Sequence, residues 1–107
     1  MKKGDILLIP FPFTDLSGVK NRPALVLIEN ELDVTVAFIS TQLHWRDSTD
    51  LLLSPTDKNG LKKVSLVRLT KLATISKALA LGRLGSIENQ EVTDLNKKLL
   101  LVFDIKE

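Results

Sequence analysis

The chain has 107 residues, 44% of them hydrophobic and 26% charged, and 15 Lys and Arg against 13 Asp and Glu give a formal net charge of +2. This length suits one domain with a single core, and we expect residues 1–107 to form it. Zero Cys and one His exclude a disulfide framework and thiolate chemistry and leave no metal cluster of the usual composition, so no metal or cofactor is expected.

The N-terminal segment predicts neither export nor membrane insertion. The apolar stretch 6–9, which follows the charged residues Lys2 and Lys3, is too short for a signal-peptide core or a membrane span. We therefore expect a cytoplasmic protein without membrane contact. The small excess of positive charge permits a nucleic-acid partner without arguing for one.

The first strand and the loop after it are predicted from apolar residues and prolines. Residues 5–10 form an apolar run that Pro10 should end, because proline cannot continue a central strand. Residues 14–21 have turn composition and predict a long connection. A second strand is expected to begin at Pro23.

A hairpin follows in the predicted order. The second strand should run to about Glu29, the turn should occupy residues 30–33, and residues 34–40 are rich in β-branched side chains typical of a third strand. A tight antiparallel hairpin places the start of one strand beside the end of the next. Arg22 is therefore expected near Ser40 and Thr41.

Arg22 gains rigidity from its neighbour in the sequence. Pro23 has a fixed φ and biases the preceding residue toward an extended backbone, so the guanidinium should be held where a loop meets the sheet. An Arg-Pro pair before a strand is also a common loop ending with a solvated side chain. The surroundings of Arg22 must decide between these two interpretations.

The second half of the chain predicts more strands and a helix. We expect a loop over 42–50, a short strand over 51–53 and a turn that ends at Asn59-Gly60. Residues 64–67 and 69–75 are predicted as strand, although the second run also suits an irregular helical turn. Residues 78–84 stay ambiguous between a helix and a short strand.

The C-terminal segment 88–99 has the clearest pattern in the sequence. Apolar residues at 92, 95 and 99 follow helical spacing, with acidic residues before and basic residues after them, as the helix dipole favours. Short strands followed by one helix predict a mainly β (α+β) fold: a strongly bent antiparallel sheet or a five- to six-stranded barrel with the helix packed on it.

The order and spacing of several short motifs resemble the MazF/PemK toxin family, also known as Kid or ChpA. The resemblance covers nearly the whole chain, although no single motif is specific. The motifs are Gly4-Asp5-Ile6, Asn21-Arg22-Pro23-Ala24-Leu25-Val26-Leu27, Ile39-Ser40-Thr41-Gln42, Ser65-Leu66-Val67 and Arg83-Leu84-Gly85.

The resemblance implies a small SH3-like antiparallel β-barrel with a C-terminal helix, and a metal-independent endoribonuclease that cuts single-stranded RNA at a short sequence. It also implies a homodimer with RNA bound in its groove, a cognate antitoxin whose tail covers that groove, and operator DNA bound through the antitoxin. By register, the family's catalytic arginine and threonine become Arg22 and Ser40 here. Thr41 is an alternative source of the hydroxyl.

Two positions depart from the family pattern. Ser40 replaces a threonine, which keeps the hydroxyl but leaves χ1 less restrained. Thr70 stands in a short stretch where many relatives carry an acidic residue. These departures bear on RNA specificity and on activity itself.

Five further residues are candidates for RNA contact. Phe13 and Trp45 are suited to stacking on bases, although Phe13 equally suits the core and Trp45 a dimer contact. Lys20 and Arg46 are suited to phosphates. His44 is the one side chain with an ordinary pKa near neutrality, which makes it a candidate general base as well as an ordinary solvated loop residue.

Two other classes of function remain open from the sequence. The first is a non-catalytic module that binds RNA or an antitoxin-like peptide in the same groove. The second is a gyrase-directed toxin, because toxins with the resembling fold also act on topoisomerase and a fold does not determine a function.

Overall fold

The computed structural model describes residues 1–12, 19–44 and 46–106. Its strands are β1 (Asp5–Pro12), β2 (Val19–Glu29), β3 (Asp33–Ser40), β4 (Leu51–Leu53), β5 (Ser65–Ser76) and β6 (Gly82–Ser86), and its α-helix is α1 (Asn89–Val102). All strand pairs are antiparallel, and the order across the sheet is β4-β5-β3-β2-β1-β6. The predicted mainly β fold with a C-terminal helix is confirmed. Within the described residues, no helix is long and apolar enough to cross a membrane.

β1 continues past the proline that was expected to end it. Pro10 and Pro12 lie opposite Asn21 and Val19 of β2. The carbonyl of Leu8 accepts the Leu81 N–H, so the alternate residues 8, 10 and 12 turn their main-chain groups away from β2. The pairing of β1 with β6 ends at Leu8, and the missing N–H groups of the two prolines therefore cost no ladder hydrogen bond.

β2 also begins before the expected residue. Residues 19–21, which had been predicted as loop, pair with the end of β1. The rest of that loop, residues 14–18, lies outside the described residues. The end at Glu29 and the antiparallel hairpin are confirmed, and the Asn30 side chain accepts hydrogen bonds from the main-chain N–H groups of Leu32 and Asp33 at 3.2 and 2.8 Å.

β5 is one continuous strand through both runs that were predicted as strand. Its register against β3 shifts between Arg68, opposite Phe38, and Leu72, opposite Ala37, so residues 69–71 form a bulge. The ambiguous segment 78–84 divides into a 3₁₀ turn at Lys77–Leu79 and the start of β6. Both alternatives considered for that segment are therefore present in part.

α1 begins with a capping box that the periodicity did not reveal. Glu88 accepts from the main chain of Glu91, and the Glu91 side chain accepts the Glu88 N–H at 2.8 Å. The predicted helical face is confirmed: Leu95 is fully buried, and Val92 and Leu99 pack against the same core.

The sheet buries apolar residues on both faces. We call the side on which α1 packs the helix face and the other side the opposite face. The core of the helix face comprises Ile6, Leu25, Leu27, Ala37, Ile39, Leu51, Leu53, Leu61, Val67, Leu69, Ile87 and Leu95. The core of the opposite face comprises Leu7, Ile9, Ala24, Val26, Val34 and Val36, with Phe38, Ile75 and Ala80 packed against it.

The turn predicted at Asn59-Gly60 lies directly against β6. The buried Asn59 side chain accepts hydrogen bonds from the N–H groups of Thr56 and Leu61 at 3.0 and 2.9 Å, and Gly60 has a φ of +71°. A Cβ on Gly85 would be 2.7 Å from the Asn59 carbonyl carbon. Gly85 is therefore required by a close approach of two backbones.

Candidate functional site

Arg22 lies at one end of the sheet, where β2 has just begun. It is half-buried and opposite Ile9 of β1. Side chains alternate along a strand, so Arg22 shares the opposite face with Ala24 and with the exposed Lys20. The two cationic side chains Lys20 and Arg22 therefore lie on the same side of the sheet.

Ser40 ends the neighbouring strand. The last paired residues of β2 and β3 at this end are Ala24 and Phe38, and Pro23 has no N–H with which to extend the ladder. Continued by two residues, the same register places Arg22 opposite Ser40. Directly opposite residues of an antiparallel pair share a face and have Cβ atoms about 5 Å apart.

The Ser40 hydroxyl has a defined partner. Its Oγ accepts the main-chain N–H of Gln42 at 3.0 Å, and Ser40 itself is half-buried opposite Leu66 of β5. Thr41 lies in the bend after the strand and is exposed. The structure thus places Ser40 in the ladder of β3 with β5, whereas Thr41 is outside it.

The loop after Ser40 is tied to β5. We call residues 41–50 the rim loop, and the rim is this loop together with residues 20–22 and Ser40. The Arg68 guanidinium donates through Nη1 to Asp50 Oδ2 and through Nη2 to the Gln42 carbonyl, both at 3.2 Å. The sequence analysis missed this connection, because nothing in the residue pattern links positions 18 apart in the chain.

Three of the five candidate residues for RNA contact lie among the described residues. His44 and Arg46 are exposed in the rim loop, and Lys20 is exposed in β2. Phe13 and Trp45 lie outside the described residues. Thr70, one of the two departures from the family pattern, is exposed in the β5 bulge two residues from Arg68. Bulges beside a site commonly re-aim its side chains.

A carboxyl at the end of the sheet away from the rim has a shifted pKa. The resolved pKa shift belongs to Glu29 at the far end of the sheet, where a hydrogen bond from Lys77 lowers the pKa of this carboxyl below its ordinary value. No group of three or more His, Asp or Glu residues in the described ranges could hold a metal ion.

A comparison with protein-family models identifies the family that this chain matches. A family model described as PemK-like, MazF-like toxin of type II toxin–antitoxin system matches residues 2–103. The comparison with curated protein sequences found no match.

Two similar solved structures come from mycobacteria. The Mycobacterium tuberculosis toxin MazF-mt6 has 22% identity and a TM-score of 0.74, covering 94% of this chain and 99% of its own. An endoribonuclease in complex with its cognate antitoxin, from a mycobacterial species, has 16% identity and a TM-score of 0.77, covering 100% and 98%. Identities this low show a shared fold.

Proposed function

The chain belongs to the family of PemK-like, MazF-like toxins of type II toxin–antitoxin systems, and from this membership we propose that it is a metal-independent endoribonuclease. Its substrate is single-stranded RNA, cut at a short sequence by attack of a ribose 2′-hydroxyl. Arg22 and Ser40 act on the scissile phosphate.

The register of β2 and β3 is the observation that carries this proposal. It brings a guanidinium and a hydroxyl to the same face of the sheet from two adjacent strands, each near a strand end. Groups held on strands are positioned more precisely than groups on loops. Arg22 and Ser40 therefore suit a preorganised site for an anion.

The proposed cleavage requires hydrogen-bond donors from the protein, because the RNA itself supplies the nucleophile. The 2′-oxygen attacks the adjacent phosphorus, the bond to the 5′-oxygen breaks, and the products are a 2′,3′-cyclic phosphate and a 5′-hydroxyl end. Negative charge grows on the phosphoryl oxygens meanwhile, and the planar Arg22 fork stabilises it. DNA lacks the nucleophile and is not cut.

Ser40 adds a directed hydrogen bond. Its oxygen accepts the Gln42 N–H, so its own O–H hydrogen points elsewhere and donates to a phosphoryl oxygen in the proposed complex. Exposed Lys20 and Arg46 bind neighbouring phosphates. His44 is the candidate proton acceptor of this proposal, since a neutral imidazole nitrogen can take a proton and this side chain lies in the rim loop.

The proposal extends to partners. A solved endoribonuclease of the same fold is in complex with its cognate antitoxin, and we propose that this chain also binds a cognate antitoxin. We further propose that the chain forms a homodimer whose RNA groove this antitoxin covers. Operator DNA would be contacted through that antitoxin.

The test compares wild-type protein with Arg22→Ala on a long single-stranded RNA in EDTA, with mapping of the new 5′ ends and assay of cyclic phosphate termini. We expect cuts at a short recurrent sequence and a loss of about 10²–10³-fold in rate in Arg22→Ala, the effect typical of one removed oxyanion donor. Lys77→Ala is the matched control, because it removes a cation at the far end of the sheet.

Other outcomes would identify another function. RNA that is bound tightly but left intact by the wild type contradicts the enzyme and indicates a binding module. Toxicity that Arg22→Ala does not change, without RNA cleavage, indicates a target such as gyrase.

A further inference from the structure

Arg68 connects the two ends of the rim loop. We propose that Arg68 is a positioning residue that, together with Asp50, holds this loop against β5 and thereby fixes the Ser40 hydroxyl. The inference rests on the proposed ribonuclease function and adds to it a residue that does not touch the substrate.

The Arg68 guanidinium contacts two partners in the rim loop. Nη1 of Arg68 lies 3.2 Å from Asp50 Oδ2 at the end of the rim loop, and Nη2 lies 3.2 Å from the Gln42 carbonyl near its start. These partners are eight positions apart in the chain. A rigid, planar fork therefore sets the distance between the two ends of the loop.

Gln42 connects the rim loop to the proposed site. Gln42, whose carbonyl accepts from Arg68, donates its own N–H to Ser40 Oγ at 3.0 Å. Any shift of Gln42 therefore changes the direction of the Ser40 hydroxyl. Ser40 is more sensitive to this than the family threonine would be, because its χ1 lacks the β-branched restraint.

The acidic partner of Arg68, Asp50, is buried. The Asp50 side chain is 0% exposed, and Oδ2 also accepts the Asp47 N–H at 2.8 Å, which closes the turn that precedes β4. A buried carboxylate requires a nearby cation. Asp50 thus anchors the end of the rim loop in the core, and Arg68 transmits that anchor to its start.

Arg68 is poorly suited to bind RNA phosphates itself. Its side chain is only 12% exposed and its charge is already matched by Asp50. Arg68 lies opposite Phe38, on the same face as Ser40 and two pairs along β3 and β5 in the direction of the bulge. This location suits a residue that acts through its neighbours.

The experiment uses Arg68→Lys, which keeps a positive charge beside Asp50 but has one amino group in place of the fork. We expect kcat for RNA cleavage to fall by about 10–100-fold while KM changes less than about twofold, because a small misplacement of a reacting group costs rate more than binding. In the protein without RNA, hydrogen exchange of the Gln42 amide should accelerate by about tenfold or more.

Two further variants complete the design. Arg83→Lys makes the same replacement in another Arg–Asp pair, with Asp5 at 3.3 Å, on the edge strand β6; it should leave kcat and Gln42 exchange unchanged. Asp50→Asn keeps the side-chain shape and is expected to reproduce both effects of Arg68→Lys, so it serves if the lysine variant does not fold.

Two results would overturn the positioning role of Arg68. Folded Arg68→Lys and Asp50→Asn proteins with wild-type kcat and wild-type Gln42 exchange would overturn the positioning role. Loss of activity that follows only the unfolded fraction would also overturn it. If the wild type itself leaves RNA intact, the ribonuclease proposal fails and the catalytic role of Arg68 fails with it, whereas Gln42 exchange still decides whether Arg68 holds the loop.

Discussion

The two faces of the sheet bury their apolar residues in different ways. The helix face is covered by α1, whose Leu95 belongs to the same buried cluster as residues of β1, β2, β3, β4 and β5. On the opposite face, Val26 and Val36 are fully buried as well. The buried cluster of this face is half the size of the other and includes no residue of α1. Phe38, Ile75 and Ala80 pack against it instead.

The polar residues of the proposed site and its positioning residue lie on the second of these faces. Arg22, Ser40 and Arg68 all follow the strand alternation of the smaller cluster. The helix face thus supplies most of the packing, and the opposite face carries the proposed chemistry at its end. Substitutions on the two faces should therefore separate stability from activity.

The largest expected effect is on the helix face. Leu95→Ala removes a fully buried side chain from the larger cluster and should lower the free energy of unfolding by about 2–5 kcal/mol. Chemical denaturation measures it. Cleavage per folded molecule should stay at the wild-type level.

Leu101→Ala is the control on the same helix. Leu101 is 63% exposed, so its truncation should change stability by less than about 0.5 kcal/mol. Equal losses in the two variants would show that α1 does not anchor the core through Leu95.

An intermediate effect is expected at the rim. Ser40→Ala removes the proposed hydroxyl donor and should reduce RNA cleavage by about 100-fold or more, with an unfolding midpoint near that of the wild type. Ser40→Thr should retain activity, because it restores the hydroxyl with a stiffer χ1. Cleavage kinetics and denaturation on the same samples measure both quantities.

Thr41→Ala sharpens that result. Thr41 is exposed and outside the β3 ladder, so a modest change is expected. A loss confined to Thr41→Ala, with Ser40→Ala active, would assign the hydroxyl role to Thr41.

The smallest effect is expected at the end of the sheet away from the rim. Lys77 contacts Glu29 at 3.1 Å and lowers the pKa of this carboxyl. A carboxyl whose pKa is lower in the folded state stabilises the protein above its unfolded pKa and loses that contribution as the pH falls through the folded pKa. Glu29→Gln should therefore be slightly less stable than the wild type at neutral pH.

The pH dependence provides the check. The difference between Glu29→Gln and the wild type should shrink below the ordinary glutamate value of 4.5 and vanish once the folded carboxyl is protonated. Denaturation across this range measures it. A difference that persists in acid would indicate that packing, and not charge, is affected.

Local patterns were sufficient for much of the fold. The β-branched run over residues 34–40, the Asn30 turn and the apolar spacing at 92, 95 and 99 each depend on neighbours within one element, and each was predicted correctly. The hairpin between two such elements also allowed Arg22 to be expected near Ser40. That expectation follows from short-range geometry alone.

Other features required the assembled sheet. Pro10 is compatible with β1 only because β6 ends beside it, and residues 19–21 are strand only because the end of β1 pairs with them. The Arg68–Asp50 contact joins a strand to a loop 18 residues away. Sequence periodicity determined the type and order of most elements and the buried face of α1. The tertiary structure decided where the strands end and which charges meet, because both depend on neighbours that are distant in the chain.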